Sequence, residues 1–315
     1  MRTILCILIA LFFVQSVSAQ GFAFKHVTDP SNVTPFADGT LSNGSHIDIS
    51  QLNDSTAFVF ITPDGTNGVD YANHVGIYHY AEGKWMIFNE DSNLPMALGG
   101  TFNVLVVPKS TLGVFTHTAD EANTTSAPFK TFSRINNPLT DGKPNIKLLV
   151  TQRLGNQFAS HNDNAPQVAN TGGFGLSTPI KWYIGNNGGK TDGTDAMPMT
   201  GGGKLGATFN VLVSDKGKVP GFPITKAYSF EWTATAAYTS SAHTFINSNR
   251  PIPQNALLFV TPLWGKGQNG TEGPHNISAI AVKYNEEGKN KWSIYNANGK
   301  PMPIGSKFNV FVVLP

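Results

Sequence analysis

Cysteine is almost missing from this chain. Of 315 residues only Cys6 is one, and it stands inside an apolar run near the N-terminus. Past that run there is no thiol to form a disulfide, attack a substrate or bind a metal. Charge is scarce too: Asp, Glu, Lys and Arg make up 13% of the residues, about half the usual share. The 22 basic and 20 acidic residues nearly cancel, which argues against nucleic acid as a partner because that needs a basic surface. No polybasic cluster points to a lipid surface. No second apolar run approaches the roughly 20 residues of a bilayer-spanning helix.

Catalytic patterns are missing as well. There is no His-Glu-x-x-His or cysteine cluster for zinc and no Gly-x-Ser-x-Gly elbow. The glycine-rich stretch Gly185 to Gly206 does not lie between a strand and a helix, so it is not read as a phosphate cradle. The adjacent acids Glu90-Asp91 and Glu286-Glu287 flank turns and do not read as the facing carboxylates of a glycosidase. No enzyme is expected.

Residues 1–19 read as a cleaved export signal. Arg2 precedes the eleven-residue apolar run Ile4 to Val14, and Val17-Ser18-Ala19 has the small-x-small form of a cleavage site. The mature chain would begin at Gln20, secreted or associated with the cell surface. Gly, Asn, Thr, Ser and Pro fill the polar positions, residues that favour turns and strands over helices.

The chain then says nearly the same thing three times. Lys84-Trp85-Met86-Ile87-Phe88-Asn89 continues through Pro95-Met96 and Gly99 to Phe102-Asn103-Val104. Lys181-Trp182-Tyr183-Ile184 continues through Met197-Pro198-Met199 and Gly206 to Phe209-Asn210-Val211. Lys291-Trp292-Ser293-Ile294-Tyr295-Asn296 continues through Pro301-Met302 and Gly305 to Phe308-Asn309-Val310. Upstream, each unit has an apolar strand ending in threonine: Ala57 to Thr62, Ile146 to Thr151 and Ala256 to Thr261.

These landmarks divide the mature chain into units at 22–108, 112–216 (with a glycine-rich insertion at about 187–203) and 227–315, with 217–226 as a linker. The linker reading extends from Ser214 through Lys226, a stretch with two prolines and three lysines. Each unit is about 90–105 residues, the length of one small domain. Short β-branched and aromatic runs between turn residues predict an all-β fold of three tandem β-sandwich-like repeats, antiparallel, with essentially no helix. A closed barrel, or three blades about a common axis, are the alternatives.

The strand Phe102 to Val107 is expected to be central. Phe102, Val104 and Val106 share one face and Asn103, Leu105 and Val107 the other, so both faces are largely apolar. Asn103, Asn210 and Asn309 would then be buried and hydrogen-bonded to a neighbouring loop carbonyl. Trp85, Trp182 and Trp292 alternate with isoleucines on one strand face and read as core. His26 and His117 share a slot that holds Trp232 in the third unit; an indole cannot ligate a metal or act as a base, so the slot reads as packing. His74 and His275, each beside an asparagine, read as strand-entrance filler.

Two features read as sites. Trp264, in Pro262-Leu263-Trp264-Gly265-Lys266-Gly267, has no tryptophan counterpart and suggests a loop aromatic on which a glycan or peptide could stack. Asp64, Asn67 and Asp70 present oxygen ligands at calcium-like spacing, as do Asp192 and Asp195. No other cofactor is expected.

The pattern Lys-Trp-x-Ile-x-Asn … Pro-Met … Gly-x-x-Phe-Asn-Val resembles an uncharacterised repeat domain of bacterial secreted proteins, a domain of unknown function. The likeness covers nearly all of the mature chain; unit two departs from it in its insertion and at Gly185. It implies export and repetition and transfers no site residue. The expected function is an extracellular, non-enzymatic binding or adhesion protein for a glycan or protein surface. The alternative is a self-assembling structural subunit of a filament, sheath or surface layer.

Overall fold

The structure is a computed structural model that describes residues 20–33, 42–47, 56–79, 84–91, 93–124, 131–154, 166–170, 180–186, 206–265, 274 and 276–315. Residues 1–19, expected to be an export signal, the insertion at 187–203, His275, Asp192 and Asp195 lie outside them. Among the described residues the protein is all-β. Helical geometry is confined to two three-residue 3-10 turns, Gly65–Asn67 and Glu286–Gly288.

Each repeat supplies an inner sheet of three strands. In repeat 1 these are β1 (Phe22–Val27), β6 (Thr101–Val107) and β3 (Phe58–Pro63), in that order and antiparallel. Repeat 2 repeats the order with β7 (Val114–Thr118), β12 (Thr208–Ser214) and β9 (Lys147–Arg153). Repeat 3 does so with β13 (Ala227–Thr233), β19 (Lys307–Val313) and β16 (Leu257–Trp264).

The remaining strands are outer ones. They are β2 (Gly44–Ile47), β5 (Trp85–Asn89) and β4 (Val75–His79) in repeat 1, and β8 (Phe132–Ile135), β11 (Trp182–Asn186) and β10 (Pro166–Asn170) in repeat 2. In repeat 3 they are β14 (Thr239–Ser240), β15 (His243–Phe245), β18 (Trp292–Asn296) and β17 (Ile280–Tyr284).

The outer strands do not stay with their own repeat. β4 pairs in parallel with β9 of repeat 2, and β10 pairs in parallel with β16 of repeat 3. A parallel bridge between Val282 of β17 and Asp64, just past β3, leads from repeat 3 back to repeat 1. The result is four sheets in a propeller-like ring, two of them six-stranded and built from two repeats each. The expectation of three tandem sandwiches is corrected here, and packing about a common axis is what the chain adopts.

The physical reason lies in the inner strands. On β6, Phe102, Val104 and Val106 fill repeat 1's own core with Trp85, Ile87, Val59 and Ile61. Leu105 and Val107 point the other way, into a central cluster shared by all three repeats, with Phe58, Phe60, Leu149, Leu212, Phe259 and Phe311. A sheet apolar on both faces cannot stop at one sandwich; its second face is covered by the other two repeats. Residues 217–226 are not a free tether either. Val219, 2% exposed, is part of that cluster and Phe222 packs against it.

Candidate functional site

The recurring asparagines close the ring. Asn103 Nδ2 donates to the carbonyl of Leu258 at 3.0 Å, Asn210 Nδ2 to Val59 at 3.1 Å, and Asn309 Nδ2 to Leu148 at 3.1 Å. The recurring threonines complete each grip. Thr62 Oγ1 accepts the N–H of Val260 (3.1 Å), Thr151 that of Ile61 (3.1 Å), and Thr261 that of Val150 (3.0 Å). So the Asn103–Thr62 pair holds the Leu258 C=O and Val260 N–H, two residues apart on one edge of β16. The same pair recurs from repeat 2 onto repeat 1 and from repeat 3 onto repeat 2. Two side chains stand in for a ladder strand and cover an edge that would otherwise be open. The expected asparagine bonds are present, but they reach a strand of the neighbouring repeat and not a loop. The threonine half was missed, although its recurrence at the strand end was visible.

The other signature residues hold each repeat together. Trp182 and Trp292 are buried, and their indole N–H groups donate to Lys143 O and Pro253 O, both at 2.9 Å. Trp85 is fully buried in the first core. Asn89 and Asn296 at the ends of β5 and β18 donate to the carbonyls of Leu94, Pro95, Lys300 and Pro301, stapling the Pro-Met turns. Gly99 and Gly305 end those turns at φ of 82° and 94°, a left-handed conformation that favours glycine.

His26 and His117 face buried serines, an arrangement that could pass for a nucleophile and its base. The hydrogen-bond order runs the other way. Ser45 Oγ donates to Asn32 Oδ1 at 2.6 Å, and Ser133 Oγ donates to Asn123 Oδ1 at 2.6 Å. The serine proton is therefore spent on an amide oxygen, and His26 and His117 must donate their Nε2–H to the serine oxygens, at 2.7 and 2.8 Å. Repeat 3 agrees: Trp232, whose indole can only donate, gives its Nε1–H to Thr244 Oγ1 at 3.1 Å. The slot wants a flat ring with an N–H, which explains why His and Trp interchange there. Burial lowers both imidazoles to about 4, against a smaller opposing effect of Asp29 or Asp120.

The calcium candidates are drawn into the joint between repeats 3 and 1. Asp64 is buried, pairs with Lys25 at 2.7 Å, and caps the Gly65–Asn67 turn by accepting from Thr66. Asn67 donates to Thr101 Oγ1 at 3.2 Å. Asp70 accepts from Tyr295 Oη at 2.8 Å and lies 4.0 Å from Lys283 Nζ. Burial and the bond to Asp70 raise the Tyr295 phenol well above its ordinary range. Each candidate side chain thus has its own protein partner, a lysine for each of the two carboxylates. No group of three His, Asp or Glu among the described residues could hold a metal.

Trp264 is not an exposed loop aromatic. It ends β16, pairs in register with Ala169 of β10, and stacks on Phe132 with ring centroids 5.5 Å apart. At 7% exposure it is core, because β16 extends two residues past Pro262 to receive an outer strand of repeat 2. The glycine-rich residues 266–273 that follow lie outside the described residues.

One pocket draws on all three repeats: a cavity of about 70 Å³ whose lining includes Thr62, Thr151, Thr261, Asn73, His74 and Gln152. His74 is lowered to about 4 by burial, so it is neutral there at physiological pH.

Fold and site together define a closed, all-β ring of tandem repeats whose recurring residues are spent on closure and core. The chain belongs to the family described as domain of unknown function DUF7452, whose model matches residues 8–106, 76–191 and 177–312. No curated protein and no solved structure matches the chain. No helix among the described residues is long and apolar enough to cross a membrane.

Proposed function

We propose that this chain is an exported, non-enzymatic binding or adhesion protein, in which the ring is a rigid frame that displays its connecting segments to a glycan or protein surface. The observation that carries this reading is where the recurring polar chemistry goes. Asn103, Asn210, Asn309 and their threonine partners bind main chain of a neighbouring repeat. The His–Ser pairs run in the donor order opposite to that of a catalytic base. What differs between repeats lies between strands, where binding residues concentrate on rigid scaffolds.

The test is a glycan-array and cell-wall binding screen of the purified protein, run beside light scattering, intact-mass analysis and labelling with a serine-directed fluorophosphonate. Specific binding by a monodisperse, unlabelled protein starting at Gln20 is expected. Stoichiometric labelling at serine would overturn the non-enzymatic reading.

One observation favours the structural-subunit reading. Leu98 and Ile304 occupy the same place in the Pro-Met-x-Leu/Ile-Gly turns of repeats 1 and 3, and both are exposed, at 41% and 55%. Repeated aliphatic tips suit contacts between copies. Ordered polymers in negative stain would make self-assembly the function.

A further inference from the structure

The inward face of the three inner sheets is layered. Across β3 and β6, Phe58 pairs with Val107, Phe60 with Leu105, and then Thr62 with Asn103. Repeats 2 and 3 place Thr151 opposite Asn210 and Thr261 opposite Asn309. Residues two apart share a face, so all six polar side chains lie on the face that carries the central apolar cluster. All six are buried.

Their hydrogen bonds do not balance among the described residues. Each asparagine spends its Nδ2 on a carbonyl of a neighbouring repeat, which also fixes the orientation of its amide. Each threonine oxygen accepts one main-chain N–H. What is left over is three asparagine Oδ1 atoms, which have no donor among the described residues, and six donors, the second Nδ2–H of each asparagine and the hydroxyl proton of each threonine. A buried oxygen left in that condition carries its full desolvation penalty. The cavity of about 70 Å³ reaches the threonine side of this layer, since Thr62, Thr151 and Thr261 line it and the three asparagines, their cross-strand partners, do not. A buried water needs roughly 10–15 Å³ and two to four polar partners, so there is room for more than one.

We propose that the Thr62/Thr151/Thr261 and Asn103/Asn210/Asn309 layer is a binding site for ordered water, which accepts from the threonine hydroxyls and donates to the asparagine oxygens. The ligand class follows from the count. Six donors and three amide oxygens, none of them charged, match a molecule that both gives and takes hydrogen bonds. A cation would leave the six donors without an acceptor, and an anion would lie against the three amide oxygens.

The test needs only the wild-type protein: a high-resolution crystal structure from crystals grown with rubidium bromide, and water-selective nuclear Overhauser spectra in solution. Density within about 2.7–3.1 Å of the asparagine Oδ1 and threonine Oγ1 atoms, without anomalous signal, is expected. So are water cross-peaks to the amide protons of Ile61, Val150 and Val260. An anomalous rubidium or bromide peak in the layer would overturn the proposal in favour of an ion site. A dry layer, with each threonine hydroxyl bonded directly to its cross-strand asparagine and no water cross-peaks, would overturn it in favour of a closed protein network.

Discussion

The side-chain amide of Asn103 reaches the main-chain oxygen of Leu258, 155 residues further along the chain, at 3.0 Å. With Thr62 taking the N–H of Val260, it binds the first repeat to the third, and its counterparts bind second to first and third to second. Removing one side chain should therefore weaken the whole ring. Asn309→Ala leaves the buried carbonyl of Leu148 without its donor, and Thr151→Val leaves the N–H of Ile61 without its acceptor. Each should cost about 1–3 kcal/mol in chemical denaturation. An unchanged midpoint in both would mean that these bonds do not close the ring.

A repeat taken from the ring should not fold by itself. Residues 227–315 would expose Phe259, Phe311 and Val313, all buried in the shared central cluster. At about 1.5–3 kcal/mol per large apolar side chain, that loss is comparable with the 5–15 kcal/mol that stabilises a typical domain. The isolated fragment should give no cooperative thermal transition. A sharp one would show that the repeats are independent units.

Trp264 and Trp292 should behave alike. Both are buried, one stacked on Phe132 and one in the third core, so Trp264→Ala and Trp292→Ala should each cost roughly 3–5 kcal/mol. Parallel melts of the two variants check this. A near-neutral Trp264→Ala would return that residue to the exposed surface.

Acid should destabilise the fold through its buried histidines. Burial lowers His26, His74 and His117 from an ordinary 6.5 to about 4. The unfolded chain therefore binds protons that the folded ring refuses, and their stabilisation is full above 6.5 and lost as pH falls towards 4. The melting temperature should drop across that window, with up to three protons taken up on unfolding. His26→Gln keeps an N–H donor for Ser45 while removing one titrating group, so the pH slope should fall by about one proton. A flat profile from pH 7 to 4 would contradict the buried, neutral imidazoles.

Much of this protein was legible in its sequence because local chemistry repeats. Period-two alternation on Phe102 to Val107 showed a strand covered on both faces, and the interchange of His26, His117 and Trp232 pointed to a packed aromatic slot. The recurring Asn103, Asn210 and Asn309 announced a buried amide in need of a partner. What no local pattern could supply was the identity of that partner. A strand's second apolar face is equally satisfied by another molecule or another repeat, since hydrophobic burial is not directional. Only the tertiary structure decided for the neighbouring repeat, by placing Leu258, Val59 and Leu148 within reach of the three amides. The same placement carried Trp264 into a strand and set Asp64 beside Lys25, and Asp70 beside Tyr295 and Lys283, at the last joint of the ring.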